Sequence, residues 1–233
     1  MRRQPNAGIL RREILELGTG QADSSSLLRI LRRIRAKYQI KQLLTEIVEH
    51  SAKASELVGH SYSHNNGFDK FVVDSLAEFG LKLRLHVWWG NSGAPPVHDH
   101  PWDFASSILL GQMTVGRYAE RKCESGMYRR ARYPTLADSA DCRVVIEGTA
   151  DLKCLGDEVL ETGSFYCLCH GDLHSVVIAN GATATMVLQG AHVANSTRVY
   201  GRAGEALREP FDVRYFTADE AIGKLERLRA LLP

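Results

Sequence analysis

Leu81-Lys82-Leu83-Arg84-Leu85-His86-Val87 alternates apolar and polar residues without a break. Strict period-two alternation marks a strand with one buried face. It also sorts the side chains that follow: Leu83, Leu85, Val87 and Trp89 share one face, while Arg84, His86 and Trp88 share the other. The strand ends at Gly90-Asn91-Ser92-Gly93-Ala94-Pro95-Pro96, a turn by composition. Short apolar runs then recur between turn signals, at Ser106–Leu110, Met113–Tyr118, Arg143–Glu147, Ser164–Leu168, Ser175–Ile178 and Thr183–Leu188. Many short strands at such spacing predict an all-β barrel or sandwich, here over about residues 70–205.

The flanks read differently. Residues 1–22 carry no clear period, and from Ser24 apolar residues recur at threes and fours through Val48, with Ser24–Ser26 as the expected cap. The other face of this helix carries Arg29, Arg32, Arg33, Arg35, Lys37 and Lys41, and reads as a solvated face because Glu46 and Glu49 follow at once. Residues 60–70, with Asn65-Asn66-Gly67, read as a loop. Thr217-Ala218-Asp219-Glu220 is a capping box opening a helix through Ile222, Leu225, Leu228 and Leu231. The expected organisation is a helical region over 1–69, the β-barrel over 70–205 and a helical extension over 206–233.

Composition bounds the function classes. The chain has 233 residues, 44% of them apolar and 24% charged, enough to bury a sizeable core. A net charge of +2 gives no global field demanding nucleic acid. No apolar run approaches the ~18 residues of a membrane span, and no apolar segment follows the basic Met1–Arg3 as in a secretory signal. Five cysteines, an odd number, favour reduced thiols in a cytoplasmic protein. Cys167 and Cys169 lack the second pair of a thiolate zinc site and read as small buried apolar residues.

Three histidines sit where a metal would need them. His98-Asp99-His100 places two imidazoles at i and i+2, on one face of an extended segment. His174 follows 74 residues after His100, at the start of the Ser175–Ile178 run. Neutral imidazole suits iron, zinc, copper or nickel. Taken alone, a His-x-His pair reads equally as the polar edge of a strand.

The surrounding spacing resembles the two motifs of the cupin superfamily. In the first motif, His-x-His is followed by Glu and then Gly; here His98 and His100 are followed by Phe104 in the Glu place and by Gly111, with the upstream Gly displaced by one residue to Gly93. In the second, Gly163, Cys169, Gly171, His174 and Ile178 occupy the places of Gly, Pro, Gly, His and Asn. The resemblance covers roughly residues 80–200 and implies a cupin barrel holding one divalent ion between His98, His100 and His174. Phenylalanine cannot ligate, so the implied site is three neutral histidines with open positions, similar to that of the thiol dioxygenases. That resemblance implies iron(II), dioxygen and a small chelating substrate such as an amino acid or thiol, with Zn, Ni, Mn or Cu as other ions such a site accepts. The features specific to cysteine dioxygenases are missing: Ala105 stands in the place of their cross-linked Cys, and only Gln189, His192 and Tyr200 fall near their Ser-x-His-x-Tyr strand. A non-oxidative metal enzyme and a non-catalytic ligand-binding module are the rival readings, and pairing of sheet edges makes a homodimer an expectation.

Other residues are weighed against this frame. Arg84 reads either as a clamp for a substrate carboxylate or as a solvent-facing residue, and His86 as an acid–base group or a structural histidine. Tyr118, with Tyr166 and Tyr200, is a candidate hydroxyl donor or ordinary packing. Trp102 shares parity with His98 and His100 and is expected on a pocket wall, whereas Asp103 is expected on the opposite face. His170 reads as a turn residue, and His192 and Arg198 as residues near the barrel mouth.

Overall fold

The computed structural model describes residues 8–17, 23–49, 60–64, 66–92, 95–122, 126–134, 144–179, 181–204, 207 and 214–233, excepting the side chains at 15–17 and 134. Gly93, Cys123, Cys142 and Arg143 lie outside the described residues.

Among the described residues, twelve strands form two antiparallel sheets. The first has the order β1 (Tyr62–His64), β2 (Phe68–Leu76), β3 (Leu81–Trp88), β11 (Thr183–His192), β5 (Trp102–Leu110) and β9 (Phe165–Leu168). The second runs β10 (Leu173–Val177), β4 (Val97–His98), β12 (Ser196–Arg202), β7 (Tyr128–Pro134), β8 (Val145–Glu161) and β6 (Gln112–Lys122), and closes where β6 pairs with β10. This is the mainly β architecture with terminal helices that the alternating runs predict.

The first sheet has two apolar faces, which explains its nearly continuous apolar strands. Phe71, Leu83, Leu85, Val87, Ala105, Leu109, Met186 and Leu188 lie on the outer face, buried beneath helices. Those helices are α1 (Ile9–Leu17), α2 (Ser24–Lys37), α3 (Ile40–Glu49) and α4 (Ala218–Leu231). Leu27, Ile30, Leu31 and Ile34 of α2 and Leu225 and Leu228 of α4 belong to the same core. The inner face carries Phe104, Ile108, Val187 and Trp88 and packs toward the second sheet.

Three local features depart from expectation. Residues 9–17 form a helix, whose Glu13 is fully buried between Arg33 (3.0 Å) and Lys37 (2.9 Å), so part of the basic face of α2 is neutralised rather than solvated. The helical run from Ser24 breaks after Lys37, where Tyr38 adopts an extended backbone, and its N-cap is Asp23, whose side chain accepts from Ser26 N at 2.8 Å. Residues 62–76, partly read as loop, form the hairpin β1–β2, with Tyr62 opposite Lys70 and His64 opposite Phe68. The turn carries Asn66-Gly67, with Gly67 at φ +81°, a conformation glycine adopts at little cost. At the other end the capping box forms as expected: Thr217 accepts from Glu220 N and Glu220 accepts from Thr217 N. Helix α4 is tied to the sheet by Lys224, which donates to buried Asp69 at 2.6 Å beside Trp89 Nε1. No helix among the described residues is long and apolar enough to cross a membrane.

Candidate metal centre

Strand β4 is only two residues long, but its position decides the site. It lies between β10 and β12, with His98 directly opposite His174 on one side and Val199 on the other. Residues opposite each other in an antiparallel pair project to the same face. Both imidazoles therefore enter the space between the sheets, and His100 joins them from the segment leading to β5. One ligand atom from each ring lies within 4.8 Å of the others. The ring centroids are 4.6 Å (98 to 174), 5.0 Å (100 to 174) and 5.1 Å (98 to 100) apart.

The donor set fits a divalent ion. Burial pushes the pKa of His98 below the ordinary imidazole value and those of His100 and His174 well below it, so all three lone pairs are free at neutral pH. His98 Nδ1 lies 2.9 Å from the carbonyl of Pro96, which leaves Nε2 as its donor atom. Three imidazoles suit iron, zinc, copper or nickel. Phe104 stands edge-on to His100, with centroids 5.2 Å apart.

A polar latch holds the two ligand segments together from behind. Asp99 points away from its histidine neighbours and is 5% exposed. Its carboxylate accepts from Arg198 N and from Arg198 Nε, both at 2.6 Å. The same guanidinium donates to Gly171 O at 2.9 Å, and Gly171 N donates to His100 O at 3.2 Å. Arg198 thus links the turn before His174 to the residue between His98 and His100.

The histidines open onto a cavity of about 440 Å³ between the sheets. Arg84, His86 and Trp88 line it, on the face assigned to them by alternation. Trp102 stacks on His100 at 5.4 Å and forms part of the wall. Tyr166 also lines it, with burial pushing its hydroxyl up to about 12.

Several expected residues lie elsewhere. Tyr118 is not at the cavity: it stands opposite Leu173, not His174, and so faces the small core of Val97, Leu173 and Tyr200, its hydroxyl 3.3 Å from Ser175 Oγ. Tyr200 lies in that core too, donating to Glu120 at 2.7 Å. Asp103 accepts from Ser24 N and His170 N, on the side away from the metal histidines. Arg198 is taken up by the latch, and exposed His192 packs on Trp102 at 4.7 Å. Cys169 is exposed beside Ser24 Oγ rather than buried.

The cavity also holds residues that the reading of 60–70 as loop concealed: Tyr62, His64, Phe68 and Lys70. The Asn66-Gly67 pair flanked by Tyr62, His64, Phe68 and Lys70 was the available hairpin signal. His64 stacks on Phe68 at 4.6 Å, and burial pushes its pKa down to about 3.

No family model and no curated protein sequence matches the chain significantly. Similar solved structures include a chain from the crystal structures of DMSP lyases, 14% identical over 57% of this chain and 52% of that one, with a TM-score of 0.34. An oxalate oxidase in complex with the substrate analogue glycolate is 15% identical over 58% and 56%, also with a TM-score of 0.34. An RmlC-like cupin from Shewanella frigidimarina is 13% identical over 57% and 84%, again with a TM-score of 0.34. The match spans about half the length of the first two.

Proposed function

We propose that this chain is a cupin-type metal enzyme, an iron(II)-dependent oxygenase acting with dioxygen on a small anionic substrate that chelates the ion through two heteroatoms. The observation that carries the reading is the convergence of three neutral imidazoles within 4.8 Å at the wall of a cavity between the sheets, with a phenyl ring where a carboxylate would otherwise complete the set. When bound there, iron(II) supplies Lewis acidity and one-electron chemistry toward dioxygen at positions the three histidines leave open. The rest falls to side chains of the chain itself. Trp102 and Phe104 keep water from the imidazoles and fix the ring of His100. Arg84 receives a substrate carboxylate: the residue is 7% exposed, and among the described residues it makes no hydrogen bond or ion pair. His86 is held neutral by burial first and by Lys70 and Arg84 next, so its Nε2, unpartnered among the described residues, serves as a hydrogen-bonding group toward bound substrate.

Anaerobic reconstitution with iron(II), followed by oxygen-electrode measurements across a panel of thiols, amino acids and hydroxy acids, tests the proposal. Substrate-dependent uptake that disappears in His98→Ala supports it. Full iron loading with no uptake for any candidate overturns it. Turnover without oxygen consumption, with zinc, nickel or manganese in the isolated protein, replaces it with a non-oxidative metal enzyme. Ligand binding unchanged by His98→Ala reduces the chain to a binding module.

A further inference from the structure

The hairpin β1–β2 brings a second cation to the cavity beside Arg84. Lys70 Nζ donates to Tyr62 Oη at 2.7 Å and lies 4.8 Å from that ring's centroid. The Arg84 guanidinium carbon lies 5.5 Å from the Trp102 ring and has no carboxylate partner among the described residues. No Asp or Glu is among the described residues lining the cavity. Asp69, next to Lys70, points to the opposite face and is engaged by Lys224 and Trp89. Two like charges on one cavity wall, Arg84 buried and Lys70 half-buried, with no counter-ion among the described lining residues destabilise the empty site, and an anion between them relieves the repulsion and the lost hydration. Burial, and Arg84 after it, push the Lys70 ammonium well below its ordinary pKa, the direction that this crowding requires.

Part of the remaining wall is apolar and aromatic, with Phe68 packed 4.9 Å from Trp88, and Trp102 and Phe104 lining the same cavity. A volume of about 440 Å³ falls within the ~300–1,000 Å³ of sites that enclose whole organic ligands. A cysteine-sized molecule would leave these rings uncovered.

We propose that the substrate is an amphipathic carboxylic acid, its carboxylate between Lys70 and Arg84 and its apolar body lying on Phe68, Trp88 and Trp102. This rests on the preceding reading only in taking the cavity as the substrate site. It names a class, aryl or extended apolar acids, that a site built for a minimal amino acid would exclude.

Binding to metal-free protein without catalysis tests it. The probes are 3-phenylpropionate, its primary amide, acetate and cysteine, titrated calorimetrically and by quenching of tryptophan fluorescence. Charge-assisted hydrogen bonds worth ~1.5–3 kcal/mol correspond to tenfold or greater discrimination, so 3-phenylpropionate should bind at least ~10-fold more tightly than its amide. It should exceed acetate and cysteine by a similar factor, because only its ring covers the aromatic wall. Lys70→Met and Arg84→Met should each abolish the preference for acid over amide, and Lys70→Arg should keep it. An amide that binds as well as the acid overturns the proposal. So does acetate or cysteine binding as tightly as 3-phenylpropionate, or no binding at millimolar concentration. If the methionine variants fail to fold by circular dichroism, the series on the unaltered protein decides the matter. Since neither iron nor oxygen is present, a failed oxygen-uptake assay leaves this result standing, and the reverse holds too.

Discussion

Replacing Arg198 by Met removes the guanidinium that joins the two ligand-bearing segments while keeping the aliphatic stem. Asp99 would then retain one donor, the amide of residue 198, and its carboxylate would stay 5% exposed with no cation beside it. Breaking a buried ion pair by deleting one partner costs about 3–5 kcal/mol. The Arg198 side chain is 31% exposed, so water screens part of the interaction and the lower end applies, about 3 kcal/mol. For a chain of this size, that lowers the melting temperature by about 6–12 °C. The loss of Gly171 anchoring also frees the turn before His174, and contacts that orient ligands typically change metal affinity by ~10–100-fold. Differential scanning calorimetry gives the first quantity, and competition with a chromophoric zinc chelator gives the second. In combination with Asp99→Asn, the two losses should fall short of additivity by at least ~1 kcal/mol, because each removes the same contact. A melting point within about 2 °C of the parent, with unchanged zinc affinity, would refute the view of Arg198 as a latch.

Three further outcomes are expected. Phe104→Glu buries a carboxylate beside the three imidazoles; the metal-free variant should melt lower than the parent, and added manganese or nickel should reverse the loss, as followed by thermal shift. Metal-free protein should lose stability as pH falls: His64 titrates near 3 when folded but near ~6.5 when unfolded, so the unfolded chain binds more protons throughout that window. Urea midpoints at pH 7.5 and 5.5 check this, and His64→Gln should narrow the difference. Thr217→Ala removes the cap of α4, with an expected cost of ~1 kcal/mol in urea unfolding and no change in zinc affinity, since α4 lies beyond the first sheet from the cavity.

What the sequence disclosed follows from how each element meets its surroundings. β3 alternates because Leu83, Leu85 and Val87 enter the helix-covered core while Arg84 and His86 line the cavity between the sheets, so the pattern is clear and both faces could be assigned. β8 has no such contrast: Val145, Ile146, Leu155 and Val159 are half-exposed or more, and only its start near Glu147 could be read. β1 has three residues, too few to establish a period, and its concealment hid Tyr62, His64 and, across the hairpin, Lys70. The clustering of His98, His100 and His174 was legible because the two-residue spacing keeps His98 and His100 on one face although the chain leaves β4 after His98. Tyr118 was misplaced because its face depends on which residue of β10 it opposes, and pairing register is absent from a single strand's sequence. Helix α1 was overlooked although Ile9, Leu10, Glu13 and Ile14 recur at helical spacing; its buried acid interrupts the apolar stripe.

The opposition of His98 to His174 has a mechanical consequence. An ion gripped by both would fasten a two-residue strand to its neighbour far more firmly than backbone pairing alone, and would close a loop of roughly 75 residues. Such an ion would behave as a removable cross-link whose stabilisation comes from binding the folded chain and not the unfolded one. Chelation would then cut a staple between two neighbouring strands of the second sheet, and resistance to proteolysis would rise and fall with metal supply.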